Sequence, residues 1–339
     1  MTTTTNAQAK TEIKAGAKTR KAKQEQVSEK PKTKYRIRNW AMYNESLKKR
    51  GSITLWIDED VLRTWKATPE AVRLRGGQKQ YSDGAIECLL MVKGVYHLGY
   101  RQTEGFAGSL SQLLDVVLPI PDYSTLNRRA KTLKVALPVS EKEPIHAVLD
   151  STGLKVYGEG EWKVRQHGYS KRRTWRKLHL NVDEATGEIE AAVLTKAGVD
   201  DAAVAETLLK QTSTKIEQMS ADGAYDKGKV YKAAAAHGVE KITIPPRRDA
   251  VLWDENSVEP QPRNANLRRI EEIGRKEWKE ECGYHRRSLA ETAMFRYKTI
   301  FGDHLSAREV KRQATEARVN CAALNRMTRL GMPDSYPIN

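Results

Sequence analysis

Ile145-His146-Ala147-Val148-Leu149-Asp150 is a short apolar run that ends in a carboxylate and meets Ser151-Thr152-Gly153. It reads as a buried strand with the acid at its carboxyl end. Downstream, Lys177-Leu-His-Leu-Asn-Val182 and Ile189-Glu-Ala-Ala-Val193 alternate apolar and polar residues. The polar turn from Asp183 to Glu188, with Thr186-Gly187 inside it, joins them as an antiparallel hairpin. A helix is predicted from Asp201 to Leu209, then a strand from Ile216 to Ala221 that ends at a second acid, Asp222. Residues 226–236 read as helix, and Lys241-Ile-Thr-Ile244 as a strand stopped by Pro245-Pro246. Strands followed by helix and strand in alternation predict an α/β sheet whose first strands are antiparallel. No internal repeat is visible.

Upstream the pattern is helical from Tyr35 to about Lys134. Ser82 is a plausible N-cap for a helix carrying Ile86, Leu89, Leu90 and Val92, and a second follows Tyr100 with Phe106, Leu110, Leu113 and Leu114 on one side. After the breaker Pro119-Ile120-Pro121, Asp122 or Ser124 can cap a short helix. That helix presents Ser124, Thr125, Asn127, Arg128 and Arg129, groups able to reach base edges or phosphates in a major groove as part of a helix-turn-helix. A solvated polar face on a packing helix is the plainer alternative. The expected organisation is a disordered basic arm at 1–34, a mostly helical DNA-binding region at 35–140, and an α/β catalytic domain at 141–335.

The chain has 59 Lys+Arg against 43 Asp+Glu, a formal net charge of +16. Through Arg38 there are 11 Lys/Arg and 3 Glu, a net of +8 and half of the total. Such an excess favours a polyanionic partner. There is no run of about 18 or more apolar residues and no signal-peptide pattern, so double-stranded DNA is preferred over a membrane. Cys88, Cys282 and Cys321 are odd in number and far apart, which fits neither a zinc site nor a disulfide framework, but reduced thiols in a cytoplasmic protein.

Asp150 and Asp222 both stand at strand ends, where α/β sheets gather their ligands. Two acids projecting from neighbouring strands can hold divalent metal, although each alone can equally start a turn or cap a helix. A third element is more specific. Between Gly283 and Gly302 there is no Pro or Gly, so a helix is expected. At 100° per residue, with Tyr284 at zero, Arg287, Glu291 and Lys298 fall near 300°, 340° and 320°, within roughly a 60° sector. An acid flanked by two bases and a phenol suits a phosphodiester. The competing reading is an ordinary i,i+4 ion pair between Arg287 and Glu291.

These residues carry a resemblance. Asp150 after a strand, Asp222 in Asp222-Gly-Ala-Tyr-Asp226, and Tyr-x2-Arg-x3-Glu-x6-Lys at 284–298 resemble the DDE transposases of bacterial insertion sequences, most closely the IS-five-like group. Arg36-Ile-Arg-Asn-Trp-Ala-Met-Tyr-Asn, Lys49-Arg-Gly-Ser-Ile-Thr-Leu-Trp and Arg172-Arg-Thr-Trp-Arg-Lys-Leu-His-Leu are similar to blocks of that group. The resemblance spans most of residues 36–335. It implies an RNase H-like catalytic core, Asp150, Asp222 and Glu291 as the metal triad, and Tyr284, Arg287 and Lys298 on the element's end. Only a small insertion, at about 245–280, precedes the last helix of the site, which leaves open whether a DNA hairpin intermediate forms. Three carboxylates suit two Mg2+ ions about 3.5–4 Å apart, with Mn2+ as a substitute. A homodimer or larger assembly on paired ends is implied.

Other acids read as structural: Asp226 as the N-cap of the helix starting at Lys227, Asp201 as a cap, and Glu281 as lying off the Glu291 face. Tyr225 is a poor candidate for a covalent nucleophile. The stretch 162–177, with Arg172, Arg173 and Arg176, interleaves aromatics and cations, which suits backbone tracking or an exposed loop. Ser306-x-x-Glu309 has the form of a capping box opening a packing helix through about Leu324. The rival functions are a stand-alone metal-dependent nuclease and a domesticated or inactive DNA-binding relative.

Overall fold

The computed structural model describes residues 34–68, 79–137, 143–156, 175–254 and 261–338. The basic arm, and Arg172 and Arg173 with most of the stretch at 162–177, lie outside the described residues. The chain divides into two compact units, one from its two ends (Met1–Glu45 and Met332–Asn339), the other from Ser46–Gly331.

In the first unit, β1 (Lys34–Ile37) pairs antiparallel with β8 (Ser335–Ile338). Asn39 ties the two ends together: its Nδ2 donates to the Met332 carbonyl at 2.9 Å and its Oδ1 accepts from the Asp334 amide at 2.8 Å. This pairing was not foreseen, since four-residue strands at opposite ends of a chain carry no local signal.

The second unit is built on a mixed sheet. Its strands are β2 (Ile145–Val156), β3 (Trp175–Asp183), β4 (Ile189–Lys196), β5 (Ile216–Ala221), β6 (Lys241–Thr243) and β7 (His304–Leu305). The order is β4-β3-β2-β5-β6, with β7 alongside the far end of β2. β3 runs antiparallel to both β2 and β4, and β5 and β6 continue parallel to β2. The predicted α/β class and antiparallel start are therefore present, and this mixed sheet is compatible with an RNase H-like core. The β3–β4 turn closes through Gly187 at φ 71°, a left-handed conformation that favours glycine.

Asp150 does not end its strand, as the sequence reading had it. β2 runs on through Ser151-Thr152-Gly153 to Val156, because β3 keeps pairing with it as far as Lys155↔Trp175 and Leu154 is fully buried. Gly153 serves this continuation: a Cβ there would stand 3.2 Å from the Trp175 ring, so the glycine gives the indole its seat. What does end near Asp150 is the parallel pairing, whose last partners are Leu149 and Ala221. Asp150, still within β2, and Asp222, just past the end of β5, are the next residues after those partners.

The helices are α1 (Trp40–Arg50), α2 (Glu59–Arg63), α3 (Asp83–Val95), α4 (Tyr100–Leu113), α5 (Tyr123–Arg129), α6 (Ala205–Gln211), α7 (Gly228–Ala236), α8 (Gln261–Ile273), α9 (Arg275–Glu281), α10 (Ser288–Phe301) and α11 (Val310–Arg329). One face of the sheet, with Val148, Leu154 and Leu178, shares a core with Ile86 and Leu89 of α3, Tyr297 of α10 and Leu324 of α11. The opposite face, with Leu149 and Met219, packs on Leu208 of α6 and Tyr231 of α7. α3 and the sheet bury their apolar surface together. Within the 245–280 segment, residues 245–254 form a loop, and the helical part is α8 and α9.

Three local expectations change. α11 starts at Val310 and runs to Arg329, and Ser306 is not its cap; instead the Glu316 carboxylate accepts from the Ser306 and Ala307 amides at 2.9 and 2.8 Å. Asp226 is not the cap of α7, whose N-cap is Lys227. Asp201 makes no cap hydrogen bond; its carboxylate lies 3.1 Å from Lys177 Nζ and 3.4 Å from His179 Nδ1. In each case a distant partner outcompetes the local backbone. Cys88, Cys282 and Cys321 are free thiols.

Candidate active site

The site grows from the parallel register of β2 and β5. Asp150 is half-buried on the α10 side of the sheet; its Oδ1 accepts from the Ser151 amide at 2.8 Å. Asp222 follows β5 and caps the 3-10 turn Gly223–Tyr225, Oδ1 accepting from the Ala224 amide at 2.9 Å. The turn-capping reading of Asp222 is therefore correct, and it leaves the acid beside Asp150 all the same.

The third element departs from the expected single helix. α9 ends at Glu281, Gly283 takes φ 66°, and Tyr284–Arg287 forms a 3-10 turn before α10 begins at Ser288. A left-handed residue just past a helix is where glycine is favoured. In a 3-10 turn residues i and i+3 eclipse, so Tyr284 and Arg287 still share a side: the Arg287 guanidinium carbon is 5.9 Å from the phenol centroid. The face survives, although the arithmetic that located it holds only from Ser288 onward.

Arg287 joins the acids. Its Nη1 donates to Asp150 Oδ2 at 2.9 Å and its Nη2 donates to Glu291 Oε1. The i,i+4 ion pair is thus real, and the same guanidinium reaches across to the sheet. Burial raises the Asp150 carboxyl above the usual range; the Ser151 amide and Arg287 oppose this, while the negative charges of Asp222 and Glu291 add to it. Asp150 thus feels both other acids. Among the described residues no three Asp, Glu, His or Cys side chains converge at metal-ligating distance; the Arg287 guanidinium stands between Asp150 and Glu291. The donor set fits a hard ion such as Mg2+: carboxylate oxygens, with no thiol or imidazole among them.

Tyr284 packs on Trp278, ring centroids 6.2 Å apart, with Lys279 Nζ 5.1 Å from its ring. Burial raises its phenol, as do the charges of Asp222 and Asp150, while Arg287 lowers it. Lys298 is half-exposed two turns beyond Glu291 on α10. Glu281 is turned away and pairs with Arg269 at 2.9 Å, as expected. Tyr225 is 1% exposed and its hydroxyl is pushed further up by burial, so it cannot meet a DNA phosphate.

The other expected DNA contacts separate. α5 is capped by Asp122, which accepts from the amides of Ser124 and Thr125 at 2.9 Å each. The Ser124 hydroxyl also donates to Asp122, and exposed Arg128 donates to Thr125 Oγ1 at 3.0 Å. Asn127 is half-buried, its carbonyl accepting from Arg312 at 2.9 Å. Arg129 turns inward instead: 9% exposed, it donates to the Tyr81 carbonyl at 2.8 Å and pairs with Asp83. That correction follows from helix geometry, since Arg129 lies on the buried side with Leu126. The α4–α5 connection, residues 114–122, is longer than the three to four residues of a helix-turn-helix. Arg176 donates to Gln313 at 2.8 Å.

Two clusters escaped the sequence reading. Arg286 pairs with Glu184, which lies 3.8 Å from His146, itself 2.7 Å from Ser220 on β5. Asp226 accepts from Arg263 Nε at 2.8 Å, both side chains nearly fully buried. Neither has a periodic signal; only the adjacency of Arg286 to Arg287 pointed near the first.

A family model described as the Transposase DDE domain matches residues 141–326, which holds all three acids, and another of the same description matches residues 48–159. The longer match covers more than half of the chain and runs from the strand bearing Asp150 to the helix after Glu291, so the chain belongs to the DDE transposases.

Proposed function

We propose that this transposase is of the IS-five-like group, binds the terminal inverted repeats of an insertion sequence, cleaves DNA there and transfers the strands into target DNA. The observation that carries the reading is Arg287 joining Asp150 of the sheet to Glu291 of α10, with Asp222 next to Asp150 in the parallel register. Asp150, Asp222 and Glu291 would hold Mg2+ ions, which when bound supply an activated hydroxyl nucleophile and stabilise the leaving oxygen. Arg287 has a second task. Its fork matches two carboxylate oxygens and equally two phosphate oxygens, so an arriving scissile phosphate takes over the donors that the acids use. Tyr284, stacked on Trp278, and Lys298, further along the same helical face, orient that phosphate. Ser124, Asn127, Arg128 and Arg176 are the proposed further DNA contacts, with residues 35–140 as the region that reads the end. The protein works as at least a dimer on paired ends. No described helix is long and apolar enough to cross a membrane, and a cytoplasmic, nucleoid-associated location is proposed.

The test is strand-resolved cleavage and joining on the inverted repeats flanking the gene, with Mg2+. Wild type should nick the repeat terminus and join it to target DNA, and Glu291→Gln should bind the repeat without cutting. Normal cutting by that variant overturns the site. Cut ends that are never joined favour a stand-alone nuclease.

A further inference from the structure

Beside the turn that carries Asp222 lies an open groove of about 460 Å³, lined by Gly223, Ala224, Pro245, Pro246 and four cations, Arg247, Arg248, Arg275 and Lys279. No acid lines it, and none of the four cations pairs with an Asp or Glu among the described residues. Arg275 is the fixed member: its Nη1 donates to the Pro246 carbonyl at 2.7 Å and its Nη2 to the Arg247 carbonyl at 3.3 Å. Those bonds brace the loop after β6, from which Arg247 and Arg248 extend into solvent.

The groove is continuous with the site. Gly223, directly after Asp222, packs so closely on the loop that a Cβ there would stand 3.3 Å from the Pro245 carbonyl oxygen. At its other side Lys279 sits 5.1 Å from the ring of Tyr284. A row of cations therefore leads away from Asp222 and Tyr284, Arg247 and Arg248 exposed, Arg275 and Lys279 half-buried, in a place that the sequence reading had treated only as a small insertion. Desolvated ion pairs would make such a cluster structural; here the charge is left available. Phosphodiesters spaced along a strand are the ligand that matches a row of fixed and flexible cations without base-specific groups.

We infer that Arg247, Arg248, Arg275 and Lys279 form a phosphate track for the DNA strand that continues past the cleavage point. The inference rests on DNA being the substrate of the site. It predicts that the Arg247→Gln/Arg248→Gln double variant, which changes only exposed side chains, loses about two phosphate contacts. At roughly 0.9 of slope per contact on duplex DNA, the dependence of log K on log salt should become shallower by about 2. Binding is measured by fluorescence anisotropy between about 50 and 200 mM salt, over which the screening length falls by about half, on duplexes bearing the terminal repeat alone or the repeat with flanking DNA. Lys232→Gln, on the exposed side of α7, is the control and should leave the slope unchanged. An equally shallower slope on both duplexes places these cations on the element's own end and overturns a track past the cleavage point. A shallower slope only with the flank assigns it to the flanking DNA. An unchanged slope on both overturns the track. Cleavage by the same preparations separates the failures: cutting that still depends on Glu291 while the slope is unchanged removes the track alone, whereas cutting independent of Glu291 removes the site reading beneath it.

Discussion

Replacing Asp226 by alanine strips the carboxylate from a guanidinium that has no route to water. The Asp226 and Arg263 side chains are 5% and 4% exposed, and the Nε–Oδ1 distance is 2.8 Å. The same oxygen accepts from the Tyr231 hydroxyl at 3.1 Å, Arg263 Nη1 donates to the Val251 carbonyl at 2.8 Å, and Trp253 covers the guanidinium carbon at 4.0 Å. Removing one partner of such a pair costs about 3–5 kcal/mol, since the remaining charge stays buried without compensation. The orphaned Tyr231 hydroxyl adds about 1 kcal/mol. Against a total stability of about 5–15 kcal/mol that is a large loss. Urea denaturation followed by circular dichroism should show it for Asp226→Ala and for Arg263→Ala separately. The double variant should be less destabilised than the sum of the singles, by about 2–3 kcal/mol, because the second deletion removes the charge that the first left stranded. Additive losses, or single losses below about 1 kcal/mol, refute the reading of Asp226 and Arg263 as a buried pair whose charges compensate each other.

His146 and His179 are both held down to about 4, chiefly by burial. In the unfolded chain they bind protons near 6.5, so between about pH 6.5 and 4 the unfolded state binds more protons and stability falls as pH falls. Each contributes a slope of up to about 1.4 kcal/mol per pH unit; urea midpoints at pH 7, 6 and 5 should decline accordingly, and a flat profile contradicts their burial as neutral rings. Arg129→Ala should lower stability by about 1–3 kcal/mol, by losing its bonds to Tyr81 and Asp83, without relaxing discrimination between end and random DNA. Competition binding showing relaxed discrimination at unchanged stability would return Arg129 to the DNA. Arg287→Gln should let DNA-free protein bind Mn2+ more tightly, because the fork no longer competes for Asp150 and Glu291; calorimetry showing weaker binding contradicts that competition.

The acids on the sheet were legible because each follows an apolar run, and the parallel register sets Asp150 and Asp222 side by side whether or not their strands stop there. That β2 continues was not legible: Ser151-Thr152-Gly153 reads locally as a break, and only Trp175 of β3 makes Gly153 a packing position. Glu291 was found through helical periodicity, which failed over Tyr284–Arg287 because a left-handed Gly283 restarts the chain in a 3-10 turn. The buried pair Asp226–Arg263 and the partly exposed pair Asp83–Arg129 left no trace, since their partners are 37 and 46 residues apart and no spacing rule reaches that far. The helical region was legible as helices, but not its union with the sheet, because an apolar helix face does not announce what it will cover.

The central claim is that three carboxylates from two strands and a helix act on one divalent metal centre. The direct measurement is a Mn2+ titration by electron paramagnetic resonance on protein bound to its terminal-repeat duplex, for wild type and for Asp150→Asn, Asp222→Asn and Glu291→Gln. Tight binding by wild type, weakened at least about tenfold (roughly 1.4 kcal/mol) by each substitution, is the predicted result. Wild-type affinity retained by any one of the three variants would remove that residue from the centre, and retention by all three would contradict the account.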